Sequence, residues 1–161
     1  MQGSKRLLIS VIGAGRASAE ELVLAEAVGE ELAKRGATLI CGGLGGVMEA
    51  ACRGASRHDG LTIGILPGDN PTEANPFVEI ALASGLGYAR NAIVAKSGHA
   101  VIAIGGSYGT LSEIAFSRQS GLPVISLGSW SISRRGNSDK SIVTASDAAD
   151  AVSKAFEHID G

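Results

Sequence analysis

Three times in this chain a short apolar run stops at glycine and resumes as a helix-forming stretch. Leu7–Ile12 leads into Gly13-Ala-Gly15-Arg-Ala-Ser18, Thr38–Cys41 into Gly42-Gly43-Leu-Gly45-Gly46, and Ala100–Ile104 into Gly105-Gly106-Ser107-Tyr108-Gly109-Thr110. Apolar runs without polar alternation suit parallel strands covered on both faces. Strand, glycine turn and helix in repeated order build βα units, whose right-handed crossovers wind a mainly parallel sheet with helices on both faces. The expected fold is therefore α/β: one Rossmann-like, doubly wound domain over residues 1–161, long enough to bury roughly 70% of its unfolded surface.

The remaining segments fit that frame. Ser18 is placed to cap a helix over 19–35, with Glu21 completing a capping box, Leu22, Ala25, Val28 and Leu32 on one face, and Gly36 ending it. Val47–Arg53 reads as a second helix, Leu61–Leu66 as a strand and Phe77–Ala83 as another, with a polar loop over 69–76 that would rim a ligand. Gly87 leads into a helix containing Tyr88, Arg90, Asn91 and Lys96. Pro123–Leu127 and Ile142–Thr144 read as strands, and the polar loop over 128–141, with an exposed Trp130, Arg134 and Arg135, would cover the site. Ser146 is expected to start a last helix to about His158 that buries Ala149, Val152 and Phe156.

Charge excludes some functions. With 14 basic and 16 acidic residues spread along the chain, net −2, there is no electrostatic footprint for nucleic acid. No apolar segment is long enough to span a bilayer. Lys5 and Arg6 precede an apolar run, but glycines interrupt it and no leader cleavage pattern follows. Cys41 and Cys52 form no Cys-x-x-Cys pair and the three histidines are scattered, so no metal ligands are expected. The cysteines read as small core residues of a reduced, cytoplasmic protein.

The chemistry concentrates in the glycine clusters. The 23 glycines are about twice the usual share of about 7%. Thr110 and Glu113 have the spacing of a capping box, which accounts for both residues but not for the cost of Gly105, Gly106 and Gly109 beside them. A bare backbone at a helix N-terminus lets an anion reach the N–H groups, and a phosphate suits that position. For Gly42–Gly46 alone, tight helix packing is an equal reading; recurrence at the same sheet edge favours a ligand crevice. Gly13-x-Gly15-x-x-Ser18 lacks the last glycine of a dinucleotide fingerprint, and no acidic residue ends the second strand to hold a ribose. Arg90, near a helix start, gains nothing from the dipole and has the planar fork for a phosphate or carboxylate; a solvated surface arginine is the alternative.

Gly42-Gly-Leu-Gly-Gly-Val-Met-Glu49, Gly64-Ile-Leu-Pro-Gly68, Ala89-Arg90-Asn91 and Gly105-Gly-x-x-Gly-Thr-x-x-Glu113 stand together in order and spacing. In these motifs the chain resembles the Lonely Guy-like (LOG/SLOG, "lysine decarboxylase-like") Rossmann superfamily over Leu7–Leu127, most of all its molybdenum cofactor carrier proteins. The resemblance implies a site for a phosphorylated small molecule made by Gly13, Gly42, Gly43, Gly45, Gly46, Met48, Glu49, Arg90, Asn91, Gly105, Gly106, Ser107, Tyr108, Gly109 and Thr110. A carrier would hold a nucleotide or a molybdenum cofactor there, with no cofactor required. The enzyme branch implies instead a nucleoside 5′-monophosphate phosphoribohydrolase, with Arg90 and Glu113 catalytic. Here Gly87-Tyr88 replaces that branch's Met-His, while Asn91 and Ser112 replace its lysine and second glutamate. No recognisable setting for a pyridoxal-binding lysine is present. The resemblance also implies a homo-oligomer, most simply a dimer.

Overall fold

A computed structural model describes residues 5–161. Its strands are β1 (Leu8–Gly13), β2 (Thr38–Cys41), β3 (Thr62–Leu66), β4 (Ile80–Ala83), β5 (Ala100–Ile104), β6 (Val124–Leu127), β7 (Ser133–Arg134), β8 (Asn137–Ser138) and β9 (Ile142–Thr144). The helices are α1 (Ala19–Lys34), α2 (Val47–Ser56), α3 (Arg90–Ser97), α4 (Tyr108–Gln119) and α5 (Ala148–Asp160). Seven strands form one sheet in the order β4-β3-β2-β1-β5-β6-β9, every pair parallel. β1 pairs with both β2 and β5, so the winding reverses there, and the strands' carboxyl ends open a crevice at that point.

Side-chain alternation explains the two covered faces. Ile9, Val11, Leu39, Cys41, Ile102 and Ile104 point to one core with residues of α1, α2 and α5. Ile12, Ile40, Val101 and Ala103 point to the other with Val94 of α3 and Ile114 of α4. Strands buried on both sides therefore need no polar face. α1 and α2 cross where each carries a glycine. A Cβ on Gly29 would overlap the Ala51 carbonyl oxygen and lie 2.9 Å from the Ala55 nitrogen, and one on Gly54 would overlap the Glu26 carbonyl. Glu26 also pairs with Arg53 at 2.9 Å and with Arg57 across this crossing.

Local signals hold at α1. Ser18 Oγ accepts from the Glu21 N–H at 3.1 Å, and the Glu21 carboxylate accepts from the Ser18 N–H at 2.9 Å. Elsewhere the structure corrects the sequence reading. The fourth strand starts at Ile80 rather than Phe77, because the Thr62 hydroxyl donates to the Phe77 carbonyl and accepts from the Glu79 N–H, taking up backbone groups the ladder would need. The cap of α5 is Asp147, whose carboxylate accepts from the Asp150 N–H at 2.8 Å; Ser146 lies outside and donates to Asp150. That helix buries Ala148, Ala151, Val152 and Ala155, leaving Ala149 exposed and Phe156 half-buried. The 128–141 loop contains the β7–β8 hairpin, and Trp130 is half-buried. No helix among the described residues is long and apolar enough to cross a membrane.

Candidate functional site

α4 begins two residues before the threonine that the sequence marks as its cap. Gly106, at φ +98°, turns the chain out of β5, and Ser107 takes the extended N-cap geometry, so Tyr108 opens the helix. Only a residue without Cβ fits at Gly106, since a methyl there would run into the Thr110 side chain. Thr110 is thus inside the first turn and buried, and no capping box joins it to Glu113. Ser107 makes no side-chain cap either. The first N–H with a backbone acceptor is that of Leu111, bonded to the Ser107 carbonyl at 3.0 Å. The N–H groups at the start of α4 therefore remain available to an anion.

α2 has a similar start. Gly46 is its N-cap with no side-chain bond, and only the Val47 N–H is taken, by the Ala14 carbonyl at 3.0 Å. The glycines around it divide by environment. Gly13 lies against Val47 and the Ile104 carbonyl, Gly43 against Leu66, Gly46 against Ala14, and Gly105 against Glu21; these hold the frame together. Gly42 faces Met48 and the Arg90 guanidinium, Gly45 faces Glu49, and Gly109 faces Asn91.

Arg90 links the two loops. It is the first residue of α3 and only 8% exposed, so it is no solvated surface arginine. Its Nη2 donates to the Gly42 carbonyl at 3.3 Å, its Nη1 donates to Asn91 Oδ1, and its Nε is buried without a partner. Two of the five donors that a guanidinium carries are thus used. Glu113 comes from α4, also 8% exposed, and its carboxyl group has no hydrogen-bond partner among the described residues. Burial pushes its pKa up to about 7, while the nearby Arg90 charge draws it down; burial likewise lowers Arg90, and Glu113 offsets this. The pair thus senses one another without forming an ion pair within 4.0 Å.

A raised carboxyl pKa has a definite thermodynamic sign. Between the ordinary value of 4.5 and about 7 the folded protein binds a proton that the unfolded chain has released, so stability falls as pH rises through that window. The loss amounts to about 3 kcal/mol at 1.36 kcal/mol per pKa unit. Glu113→Gln is expected to remove this slope and to be more stable than wild type above pH 7. Urea unfolding of both proteins at pH 5 and 8 measures it; parallel pH profiles would contradict a buried carboxylate.

The glycine loops are held from outside by Asn75 and Ser129, which sequence reasoning missed, and by Trp130, which it placed in a covering loop without a partner. Asn75 donates from its backbone to the Gly43 carbonyl at 2.9 Å and from Nδ2 to the Leu44 carbonyl at 2.9 Å. Ser129 Oγ donates to the Gly105 carbonyl at 2.5 Å, and Trp130 Nε1 donates to the Ser107 carbonyl at 3.1 Å. Trp130 also packs on Tyr108, ring centroids 5.7 Å apart. Tyr108 itself is 80% exposed. Two open depressions flank these loops. One of about 420 Å³ is lined by Gly15, Arg16, Gly46 and Glu49, and one of about 340 Å³ by Glu21, Gly105, Gly106 and Trp130. A further depression of about 450 Å³, lined by Lys5, Arg6 and Arg35, lies at the other end of the strands and contains none of the candidate residues.

The sequence model of the SLOG cluster4 family matches residues 6–156. The chain belongs to the SLOG cluster4 family. Within solved structures, this SLOG protein is similar to the molybdenum cofactor binding protein of the phototrophic bacterium Rippkaea orientalis, at 34% identity and TM-score 0.87, over 98% of this chain and 99% of that one. It is similar too to the molybdenum cofactor carrier protein of Chlamydomonas reinhardtii, at 29% identity and TM-score 0.83, over 98% and 100% of the two chains. An uncharacterised protein of Archaeoglobus fulgidus is 46% identical over 123 residues, 76% of this chain and 81% of that protein. The SLOG assignment bears out the superfamily resemblance and the Rossmann-like fold expected from the apolar runs.

Proposed function

We propose that this protein binds a phosphorylated small molecule in the crevice above β1, β2 and β5 and holds it as a carrier, the ligand being a molybdopterin-type cofactor or a nucleotide. The observation that carries the reading is Arg90, a buried guanidinium with unused donors beside the uncapped N-terminus of α4. Together they offer a phosphate both a bidentate cation and oriented N–H groups. The binding set is Gly42, Met48, Arg90, Asn91, Gly106, Gly109 and Glu113, with Gly45 and Glu49 at the rim. The similarity to two molybdenum cofactor proteins supports the carrier role. The phosphate end of such a cofactor fits these residues. Among the described residues no group of three or more His, Cys, Asp or Glu is placed to ligate a metal ion, so a metal carried here would come ligated by the cofactor's own atoms.

The binding unit in this reading is a single domain, and it works as a homo-oligomer. Ile80, Leu82, Leu86, Tyr88 and Ile93 are exposed along one stretch of chain, apolar material of the kind that subunit interfaces cover. A cytoplasmic setting matches the two free thiols.

A second reading has one observation of its own. Glu113, with its pKa near 7 and Arg90 nearby, has the properties of a general acid or base for N-glycosidic hydrolysis of a nucleoside 5′-monophosphate. A panel of nucleoside 5′-monophosphates and a pterin phosphate, tested for binding and for release of free base and ribose 5-phosphate, separates the two. The carrier reading expects binding without release by wild type and Glu113→Gln alike. Release by wild type that Glu113→Gln abolishes would make the protein a phosphoribohydrolase.

A further inference from the structure

Cys41 and Cys52 stay outside the proposed phosphate site, yet they lie directly beneath it. Cys41 is the last residue of β2, next to Gly42, and Cys52 sits in the second turn of α2. Both are buried and free, with their Sγ atoms 3.5 Å apart. The Gly43 N–H donates to Cys41 Sγ at 3.3 Å, so this sulfur receives a backbone donor and also shares a hydrogen bond with its neighbour's sulfur, in which either thiol can donate. Hydrogen bonds to sulfur favour its thiolate form, the form that reacts. The Cys52 thiol holds Cys41 below its usual range, and Cys41 with burial pushes Cys52 up.

We propose that Cys41 and Cys52 are a dithiol–disulfide couple, oxidised by a hydroperoxide, whose closure displaces the Gly42–Gly46 turn and the Arg90 that rests on it. Both thiols are fully covered and the Gly43 backbone rests on Cys41, so the oxidation requires the Gly42–Gly46 turn to open far enough for a hydroperoxide, which is little larger than water. The Cys41 thiolate attacks the peroxide, the O–O bond breaks, and the departing oxygen leaves as water or alcohol with a proton, giving a sulfenic acid. Cys52 sulfur then displaces the hydroxyl from Cys41 sulfur, and its own proton leaves with that hydroxyl as water. Two thiols are oxidised and one peroxide is reduced.

The displacement follows from what can move. A disulfide is about 2.05 Å long, so the sulfurs must approach by about 1.5 Å. β2 is locked between β1 and β3, and α2 is pressed onto α1 through Gly29 and Gly54. The turn between them is left to absorb the change. The Gly42 carbonyl, acceptor for Arg90 Nη2, lies one residue from Cys41.

The test does not depend on which ligand the crevice takes. The folded protein is treated with hydrogen peroxide, quenched, and its thiols counted after denaturation, with intact mass recorded in parallel. The expected product has no titratable thiol, is lighter by two hydrogen atoms, remains monomeric on a non-reducing gel in denaturant, and recovers both thiols with dithiothreitol. Oxygen added to Met48 leaves the thiol count unchanged and is read separately by peptide mapping. Two thiols surviving, oxygen accumulating on one cysteine, or a cross-linked dimer would each overturn the couple. In amide and arginine side-chain NMR spectra, the Gly42, Gly43 and Arg90 signals should shift reversibly on oxidation while those of α5 stay in place. A formed disulfide with an unmoved Arg90 signal would overturn the link to the turn. Cys52→Ala gives the control: it should lose the two-hydrogen product, and a folding failure of that variant leaves the wild-type measurements decisive.

Discussion

Arg90→Ala is expected to weaken binding of a nucleoside 5′-monophosphate by about 30- to 150-fold, from the roughly 2–3 kcal/mol that a charge-assisted hydrogen bond carries. Binding of the nucleoside without its phosphate should change by no more than about twofold, an effect of under 0.5 kcal/mol. In the proposed arrangement the guanidinium would meet only the phosphate: one N–H is fixed on Gly42 and one on Asn91, which leaves the second N–H of each Nη uncommitted for an oxyanion. Arg90→Lys should recover only part of the loss, since an ammonium is a point charge without the fork that reaches both sides. Titration calorimetry with matched nucleotide and nucleoside, on variants whose circular dichroism matches wild type, decides the matter. Equal weakening of both ligands would remove the phosphate from Arg90. The substitution also strips Glu113 of the charge that draws its pKa down, so the carboxyl should titrate still higher in Arg90→Ala.

Gly29→Val should cost at least about 3 kcal/mol of stability, at the upper end of the range for overpacked cores. Its added carbon would fall on the Ala51 carbonyl, which is backbone and cannot turn aside as a side chain can. The two helices would have to part along the crossing that also holds the Glu26–Arg53 ion pair and the first core. At 2–4 °C per kcal/mol for a chain of this size, the thermal midpoint should drop by roughly 10 °C. Calorimetry and urea unfolding measure it, with Gly36→Ala as a comparison: Gly36, unlike the helical Gly29, is at positive φ, +72°, but has open space around it, so its cost is backbone strain without a clash. A Gly29→Val midpoint within 2 °C of wild type would show that the helices slide apart at little cost.

Much of the frame was legible because it rests on local periodicity. Unbroken apolar runs gave the central strands within a residue at either end, and the Ser18–Glu21 pair gave the start of α1. The start of α4 differs from the sequence reading because threonine, three residues before glutamate, satisfies a capping pattern whichever way the backbone turns, and only the φ of Gly106 decides where the helix begins. Similarly, Ser146 and Asp147 are both good caps in sequence, and the extended backbone at Asp147 selects the second. Within the candidate site, Arg90 and Glu113 were legible as residue types near glycine motifs, but their burial was not. Trp130 was legible only as part of a covering loop, and Asn75 and Ser129 not as individual residues, since all three bond to carbonyls 23 to 32 positions away and no local spacing encodes a contact across strands.

Those three residues give the crevice an unusual division of labour. Both glycine loops are strapped by segments, 69–76 and 128–141, that add nothing to the centre of the sheet. Moving one donor in a strap would tilt the peptide planes it holds, and so re-aim the N–H groups, without touching a strand, a helix or a glycine. The shape of the cup can thus be retuned independently of the scaffold that carries it. Divergence of cargo among proteins with the same glycines would accordingly be written in the straps, where surface loops accept exchange freely.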